Sequence, residues 1–421
     1  MSRIILHSDL NSFYANVECF SNPKIRSFPV AVGGDEEMRH GIVLAKNDIA
    51  KKAGIVTGES LWQARIKCPD LISVPPDFEK YLKFSRLTRQ IYERYTDQVE
   101  SFGIDECWLD VTASTKLFGS GKKMANDIRE TIKREMGITA SIGVSFNKIF
   151  AKLGSDMKKP DATTIVSQEN YKDKVWSLPV SDLLYVGKAT KKKLHRYGIT
   201  TIGQLANADR TSLVTRLGDW GQVLYEFANG RDFSPVKLKG EENFVKSVGN
   251  STTLYRNIDT LEDVKRVFYL LSESVASRLR EHGLKATTIQ ISIRDQFLIS
   301  CDRQGKLEYP SFLTNEIAEK SMEIFRQKYQ FSSGIRSLGV RATKLIPQTQ
   351  PLQLDFFTDH SQRSKLEALE KTIDDIRNRY GYNAIQRAIV YEDRKLTGIN
   401  PKEEHTIHPV NFFNRKILSD Y

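Results

Sequence analysis

The fold is decided by the stretch Val99-Glu-Ser-Phe-Gly-Ile-Asp-Glu-Cys-Trp-Leu-Asp-Val111, which is typical of two β-strands that meet near Gly103. Apolar residues at strand or helical spacing predict the segments around it: a strand at 4–6, helices at 11–20, 79–96 and 124–136, and a strand at 139–144. The order is βαββαβ, in which an antiparallel sheet carries two helices on one face. The sequence therefore predicts a ferredoxin-like domain, with residues 20–75 inserted after its first helix.

The apolar side chains of each helix define its expected buried face. These faces are formed by Phe13, Val17 and Phe20 in the first helix, by Leu87, Ile91 and Tyr95 in the second, and by Met124, Ile128, Ile132 and Met136 in the third. Gly137 is expected to end the third helix, because glycine favours the left-handed backbone that follows many helix C-termini.

A second α+β pattern occupies residues 244–347 and predicts a separate domain. Its elements are a helix between Thr260 and Gly283, strands near 286–293, 297–302 and 336–345, and a helix at 313–328. Residues 234–243 are expected to be a linker, and short helices are expected at 175–233. The remainder, 348–421, is a polar tail with one helix predicted at 361–380.

Composition narrows the class of protein. The chain has 63 Lys and Arg against 52 Asp and Glu, a net charge of +11, and the excess is densest in 166–240, with 12 basic against seven acidic residues. Such a charge favours a polyanionic partner such as nucleic acid, although it could equally serve solubility. The four cysteines are widely spaced without a CxxC pair, which argues against a zinc ribbon or a disulfide framework. Three apolar residues near the N-terminus are fewer than the about seven that a signal peptide needs, so we expect a cytoplasmic protein without a membrane span.

Three carboxylates are expected to converge in the first domain. Asp9 ends the first strand, and Asp105 and Glu106 lie at the central hairpin, whose second strand neighbours the first in a ferredoxin-like sheet. Successive strand residues point to opposite faces, so Asp105 and Glu106 share a site only if the hairpin bends, which Gly103 permits. Oxygen ligands suit Mg²⁺ or Mn²⁺, and a pair of such ions would support displacement at phosphorus. The alternative is that Asp105 and Glu106 are solvated turn residues and Asp9 is a helix cap.

The motifs around these carboxylates resemble a known family. The blocks His7-Ser-Asp-Leu-Asn-Ser-Phe-Tyr-Ala-Asn-Val-Glu18, Ser101–Val111, Ser141–Lys152, Asp156-Met-Lys-Lys-Pro160 and Val186-Gly-Lys resemble those of Y-family (translesion) DNA polymerases, particularly the bacterial ones. The resemblance covers about residues 1–347. It implies a palm at 1–19 and 76–165, fingers at 20–75, a thumb at 166–233, a linker at 234–243, a little finger at 244–347 and a tail at 348–421.

The resemblance also implies the site residues. Asp9, Asp105 and Glu106 would be catalytic and bind two Mg²⁺ ions, for which Mn²⁺ can substitute, with the backbone carbonyl of Leu10 as a further ligand. Tyr14 matches the steric gate that excludes a ribose 2′-hydroxyl. The other residues implied to bind the nucleotide are Phe13, Asn47, Lys51 and Lys159, the last through the triphosphate.

The fingers depart from the family pattern. The usual Asn-Tyr-Glu-Ala-Arg reads Asn47-Asp-Ile-Ala-Lys51 in this chain. Lys51 keeps the charge of the arginine but not its bidentate fork, and Asp48 replaces a tyrosine that donates to a phosphate. The grip on the triphosphate is therefore less secure than metal binding.

DNA contacts are implied in two places. Residues 184–199 resemble a helix-hairpin-helix, in which backbone N–H groups near Gly187 and Lys188 would bind a phosphate, although Tyr185 stands where a glycine is usual. The alternative is a solvated basic helix. On predicted strands of the second domain, Arg294, Arg336 and Arg341 could reach DNA phosphates, and each alone could equally be a surface charge.

The tail carries a short motif, Gln353-Leu-Asp-Phe-Phe357, that resembles the bacterial sliding-clamp motif. Gln353 would hydrogen-bond at the rim of a cleft, while Leu354, Phe356 and Phe357 fill an apolar pocket. The alternative is that these side chains fold back on the second domain or on the helix at 361–380.

We therefore expect a monomeric, template-directed DNA polymerase of low fidelity that copies damaged DNA. Its partners would be primer-template DNA, dNTPs and a sliding clamp. One rival is a catalytically silent DNA-binding scaffold, which loss of any of the three carboxylates would have favoured. Another is a cyclase or nuclease with the same metal cluster, although neither needs the hairpin of the thumb or the second domain.

Overall fold

The computed structural model describes residues 3–37, 39, 41–241, 245–331, 333–351 and 360–398. They belong to two compact units, the first within 1–34 and 41–242 and the second within 35–40 and 243–407. The strands of the first unit are β1 (Ile5–Leu10), β2 (Val30–Gly33), β3 (Val43–Lys46), β4 (Ile72–Val74), β5 (Val99–Ser101), β6 (Glu106–Asp110), β7 (Ala140–Ser145) and β8 (Thr163–Val166). Its α-helices are α1 (Phe13–Ser21), α2 (Asp48–Lys52), α3 (Leu61–Lys67), α4 (Phe78–Tyr92), α5 (Thr115–Phe118), α6 (Gly121–Met136), α7 (Lys148–Met157), α8 (Tyr171–Val175), α9 (Lys188–Arg196), α10 (Ile202–Ala206), α11 (Arg210–Leu217) and α12 (Asp219–Ala228).

The largest sheet of the first unit has the strand order β5-β6-β1-β7-β8. β1 lies in its centre, antiparallel to both β6 and β7, and all of its residues are buried. This arrangement confirms the ferredoxin-like prediction. β8, which pairs in parallel with β7, extends the sheet by one strand that the sequence analysis did not identify.

The helices on this sheet agree with the predicted pattern in α6 and depart from it in α1 and α4. All four predicted residues of α6 are buried, and Gly137 ends the helix with a φ of 65°. In α4 the prediction was wrong for Leu87, which is exposed, because the buried face is carried by Tyr81 and Tyr92, whose hydroxyls donate to the Glu18 carboxylate and to Ser8 Oγ. Phe20 is also exposed, near the end of α1, where its ring contacts Phe84 at one edge.

The insertion after α1 forms its own small layer. β2 pairs antiparallel with β3 and parallel with β4, and the sheet packs with α2 and α3 around a separate apolar core. The short helices α8–α12 form another apolar core, which α7 shares through Ile149, Phe150 and Leu153. This second core therefore continues directly onto the helix that borders the central sheet.

The second unit is a sheet covered by helices. Its strands are β9 (Ser247–Ile258), β10 (Leu284–Asp295), β11 (Ser300–Ser311) and β12 (Ile335–Pro347), in the order β11-β10-β12-β9, and its helices are α13 (Leu261–Glu281), α14 (Thr314–Lys328), α15 (His360–Tyr380), α16 (Ala388–Tyr391) and α17 (Arg394–Thr397). The helix predicted between Thr260 and Gly283 is confirmed as α13, and its apolar side chains are buried. The strand expected from 297 begins at Ser300 instead, because Phe297, Leu298 and Ile299 form the exposed turn between β10 and β11 and Leu298 has a φ of 66°.

The C-terminal helices dock on the second unit through buried charges. The Glu273 carboxylate on α13 is fully buried and accepts from Arg387 Nη1 at 2.6 Å, Arg377 Nη2 at 3.1 Å and the Tyr382 hydroxyl at 2.6 Å. Arg280, also on α13, reaches Asp374 of α15 with two hydrogen bonds. The helix predicted at 361–380 is confirmed, and it is part of the folded unit.

Candidate active site

The central feature of the site is the pairing of two acidic residues across β1 and β6. Asp9 and Glu106 are direct partners in the antiparallel ladder. At the other side of the hairpin, the amides of Phe102 and Gly103 both donate to the Glu106 carbonyl, at 3.0 and 3.3 Å, so two residues oppose one. This is the irregularity that the sequence analysis required, and it places Asp105 at a bend, where its carbonyl accepts from Leu10 N at 3.0 Å.

The electrostatics show that the three carboxylates are neighbours. Burial raises the pKa of Asp105 to about 7, and the charges of Glu106 and Asp9 contribute to the rise. Burial likewise raises the pKa of Asp9, against the opposing effect of Lys152. For Glu106, burial alone would raise the pKa, but the hydrogen bond with His7 and the charge of Lys152 outweigh it and lower the value to about 2. The pKa shifts of Asp9, Asp105 and Glu106 therefore indicate that the three carboxylates lie close to one another.

Two lysines from α7 and the segment after it neutralise this acidic cluster. Lys152 Nζ lies 3.1 Å from Asp9 Oδ2, 3.1 Å from Glu106 Oε2 and 3.2 Å from Asp156 Oδ2. Lys159 Nζ lies 2.8 Å from Asp9 Oδ2 and 2.9 Å from Asp156 Oδ1. Among the residues that the structure describes, no three Asp, Glu, His or Cys side chains are arranged to hold a metal ion as they stand. The cations in contact with these acids are the two ammonium groups.

His7 supports the cluster from inside the sheet. Its ring is fully buried, with Nδ1 2.9 Å from Ser155 Oγ and Nε2 3.4 Å from Glu106 Oε2. Glu106 Oε2 is itself buried, and no donor among the described residues is well aligned with it, although the Lys152 ammonium lies 3.1 Å away. A carboxylate oxygen in that condition fits a cation ligand, and the set of donors, all oxygen, fits Mg²⁺ or Mn²⁺.

Tyr14 lies beside the acidic cluster. Its ring stacks on Tyr81 with centroids 4.3 Å apart and planes 15° apart, and it meets Phe78 edge-on at 6.0 Å. Burial, together with the charge of Asp105, raises the pKa of Tyr14 to about 12. The structure thus brings Tyr14 and Asp105 together, as the resemblance implies.

The side chains of Phe13 and Asn47, both predicted to bind the nucleotide, make contacts within the fold. Phe13 is buried and packs on Tyr14 and Tyr81. Asn47 Oδ1 accepts from Val30 N at 3.1 Å and Ala50 N at 2.9 Å, while Nδ2 donates to the Phe28 carbonyl at 2.8 Å. These contacts help to position α1 and α2.

Asn47 caps α2, on which Asp48 and Lys51 are exposed. Lys46 lies close enough to Lys51 that, besides burial, the charge of Lys51 lowers the Lys46 pKa. Lys46 was not among the predicted site residues, although it directly precedes the Asn47–Lys51 motif. Lys46 is thus a second basic side chain close to Lys51.

The hairpin before α9 keeps its backbone geometry despite the tyrosine. Tyr185 has a φ of 70°, the left-handed conformation that a glycine would adopt there, and its ring lies 5.5 Å from that of Trp220. Gly187 is the N-cap of α9 and has open space beside its Cα, and Lys188 begins the helix. The departure at Tyr185 therefore leaves the turn intact.

Of the three arginines predicted to contact DNA, two share a sheet face. Arg294 pairs with Ser337, and Arg341 pairs with Gln290 and Gly249, on the side of the sheet opposite the buried residues. Arg336 lies at a β-bulge in β12, where the register shifts. The structure therefore groups Arg294 with Arg341 and leaves Arg336 out of that row.

Comparison with known proteins identifies the family. A model of the impB/mucB/samB family matches residues 8–156, and the model of the C-terminal domain of that family matches residues 245–356. The DNA polymerase IV of Acetivibrio thermocellus is 53% identical over 399 residues, which cover 95% of this chain and 100% of that protein. The chain belongs to the Y-family of DNA polymerases.

Other similarities agree with this membership. DNA polymerase IV 1 of Bacillus subtilis (strain 168) is 36% identical over 420 residues, which cover 100% of this chain and 98% of that protein. A solved chimaeric Y-family DNA polymerase superposes with a TM-score of 0.72 at 23% identity, covering 82% of this chain and 99% of that one, which bears on the fold. This Y-family chain is thus a DNA-directed DNA polymerase of the translesion class, with a palm, small fingers, a helical thumb and a little finger.

Two findings bear on the remaining predictions. None of the described helices is long and apolar enough to cross a membrane. The clamp-motif residues Gln353, Leu354, Phe356 and Phe357 lie outside the described residues.

Asp105 is expected to make the metal-free protein less stable as the pH rises. Its pKa is raised from the ordinary 3.8 to about 7, so between these values the folded chain holds a proton that the unfolded chain has released. The free energy of unfolding therefore falls as the pH rises through this window. Asp105→Asn should remove the fall and be up to about 4 kcal/mol more stable than the parent at pH 8, with little of that gain at pH 4.

The measurement is urea denaturation in EDTA, followed by tryptophan fluorescence, because Trp62, Trp108, Trp176 and Trp220 all lie in the first unit. Asp70→Asn, at an exposed aspartate, is the matched control. An Asp105→Asn gain that is the same at both pH values would contradict the assignment.

Proposed function

We propose that this polymerase joins dNTPs to the 3′-hydroxyl of a primer at the cluster of Asp9, Asp105 and Glu106, with two Mg²⁺ ions, or Mn²⁺ in their place. The observation that supports this best is the condition of the carboxylates. Three acids influence one another in a buried site, where ammonium groups already lie against them: Lys152 contacts Asp9 and Glu106, and Lys159 contacts Asp9. Like charges held this close need a cation.

The carboxylates and the Leu10 carbonyl would hold the ions. When bound, the two ions supply the charge that activates the primer hydroxyl and steadies the triphosphate. The chain itself fixes the positions of the ligands: the β1–β6 pairing sets Asp9 against Glu106, and the bend at Gly103 brings Asp105 to the same end of the sheet. His7 holds Glu106 from behind.

Lys159 and Tyr14 would select and orient the nucleotide. Lys159 lies at the edge of the cluster on a flexible side chain, so its ammonium can move from Asp9 to a phosphate, and Lys51 with Lys46 would approach from the fingers. The Tyr14 ring is held on one side by Tyr81 and Phe78. A ring fixed in this way would clash sterically with a ribose 2′-hydroxyl.

The DNA backbone would be bound by residues outside the acidic cluster. The amides at Gly187 and Lys188 begin a basic helix, which suits a phosphate. In the second unit, Arg294 and Arg341 share their sheet face with small residues such as Ser251 and Gly339, over which a sugar-phosphate backbone can pass closely. Arg336, at the bulge, would contribute less.

We propose the domain boundaries that the sequence predicts: palm 1–19 and 76–165, fingers 20–75, thumb 166–233, linker 234–243, little finger 244–347 and tail 348–421. The separate core of the fingers layer supports its boundaries, whereas Leu396 of the proposed tail packs into the core of the second unit. The chain would act as a monomer in the cytoplasm.

The segment Gln353–Phe357 would bind a sliding clamp through Leu354, Phe356 and Phe357. What supports this is the spacing of one glutamine and three apolar residues within Gln353–Phe357. Tethering to a ring on DNA would raise the local concentration of polymerase at the primer end.

Glu106→Ala should abolish primer extension, by about a thousandfold or more, because it removes a cation ligand from the reacting centre. Affinity for primer-template DNA should stay within a few-fold of the parent, since the proposed DNA contacts lie elsewhere. Gel-based primer extension and fluorescence anisotropy measure the two quantities. Glu308→Ala, at an exposed glutamate of β11, is the control, and measurable extension by Glu106→Ala in saturating Mg²⁺ would overturn the assignment.

Tyr14→Ala should incorporate ribonucleotides more readily, shifting the preference for dNTPs over rNTPs by about tenfold or more, because the steric clash with a 2′-hydroxyl is removed. Single-nucleotide insertion kinetics with matched dNTP and rNTP pairs give this ratio. Tyr380→Ala, at an exposed tyrosine of α15, should leave it unchanged. An unaltered ratio in Tyr14→Ala would place discrimination elsewhere.

Replacing Phe356 and Phe357 with alanine should leave synthesis on short primers intact but remove its stimulation by a loaded clamp, because the apolar anchors are lost. Calorimetric titration of the full chain with the clamp measures the interaction directly. Replacing the exposed Phe297 with alanine provides an aromatic control outside the motif. Unchanged clamp affinity in the double variant would show that the motif is structural.

A further inference from the structure

We infer that Lys152 is an internal counter-ion of the acidic cluster, which occupies the space between Asp9 and Glu106 when no metal is bound and must leave it when a metal ion enters. Metal binding would then be an exchange of one cation for another. This inference rests on the proposed metal site, and it assigns to a lysine of α7 a role in setting metal affinity.

The Lys152 ammonium contacts one carboxylate on each of two paired strands. Lys152 Nζ is 3.1 Å from both Asp9 Oδ2 and Glu106 Oε2, which are partners across the β1–β6 ladder. A divalent ion held by the same two carboxylates would need as direct ligands the oxygens that this ammonium contacts. Both cations cannot occupy the gap, because they would be in contact and would repel one another without screening solvent.

The surroundings prevent Lys152 from being a solvated surface charge. Its side chain is only 13% exposed, and α7 is pressed against the sheet at Gly143, where a Cβ would lie 1.9 Å from the Ala151 carbonyl oxygen. This close approach aims the stem of Lys152 into the cluster. The lysine is therefore placed there by the packing of the helix.

Asp156 gives the ammonium a place to go. It lies one helical turn beyond Lys152, its Oδ2 is already 3.2 Å from Nζ, and its side chain is 45% exposed. A lysine side chain is flexible enough to keep this contact while releasing the other two. Lys159 also bridges Asp9 to Asp156, so the same carboxylate can receive both ammonium groups.

A fixed structural ion pair is the competing explanation, and it predicts the opposite result. If Lys152 held the carboxylates in place for the metal, its removal would leave metal affinity unchanged or weaken it. If Lys152 competes with the metal, its removal should strengthen metal binding. The two explanations therefore differ in the sign of the change in affinity.

The test is Mn²⁺ binding to the full-length protein without DNA, followed by the electron paramagnetic resonance signal of free Mn²⁺. Lys152→Met should bind Mn²⁺ more tightly than the parent, by about tenfold, the effect of removing one competing charge at short range. Lys152→Arg, which keeps the charge, should not show this gain. Lys158→Met removes an exposed charge nearby and should change affinity by less than about twofold.

Thermal unfolding provides a second readout that does not depend on activity. Added Mn²⁺ should raise the melting temperature of Lys152→Met more than that of the parent, because ligand stabilisation follows affinity. Lys152→Gln serves in the same comparison if the methionine variant folds poorly. Equal or smaller stabilisation of both uncharged variants would overturn the inference.

Asp9→Asn separates this inference from the proposed function. Loss of Mn²⁺ binding in Asp9→Asn, with unchanged affinity in Lys152→Met, would refute the role of Lys152 alone. Mn²⁺ binding that survives Asp9→Asn, or is absent from the parent and from Lys152→Met alike, would refute the metal site and the inference together.

Discussion

The antiparallel pairing of β1 and β6 places the Asp9 carboxylate opposite that of Glu106, so two like charges lie at one end of these inner strands. Neighbouring acids in such a place destabilise the fold unless cations accompany them. The protein meets this constraint from two directions. Gly143 lets α7 approach the sheet closely enough for Lys152 to enter the cluster, and the bend near Gly103 admits Asp105 as a third acid. The packing of the first unit is therefore coupled to its electrostatics.

The aromatic layer beside the acids follows from the same arrangement. Tyr81 of α4 donates its hydroxyl to Glu18 while its ring supports Tyr14, so one residue links a buried carboxylate to the ring beside Asp105. Phe13 fills the space behind them. The orientation of Tyr14 is thus fixed by packing between α1 and α4.

Periodicity and motif text predicted the sheet order, α6, α13 and the convergence of Asp9, Asp105 and Glu106. They failed where a residue type has two structural uses. Tyr81 and Tyr92 are buried because their hydroxyls find partners, which an apolar pattern does not register, and Leu87 is exposed as a result. The motif that contains Asn47 gave no indication that its side-chain amide also caps α2. Lys152 was visible within a quoted motif, but its role depends on the close approach of α7 to β7, which no spacing along the chain reveals.

The buried carboxylate of Glu273 joins the C-terminal helices to the rest of the second unit. It lies on α13, at the centre of the second unit, yet its hydrogen-bonding partners Arg377, Tyr382 and Arg387 all come from the end of the chain. A chain truncated before α15 would lose all three partners of this carboxylate together with the helices that pack against α13. Folding of the little finger is therefore incomplete until the C-terminal helices have been synthesised, so a nascent chain would depend on residues that follow the sheet in the sequence.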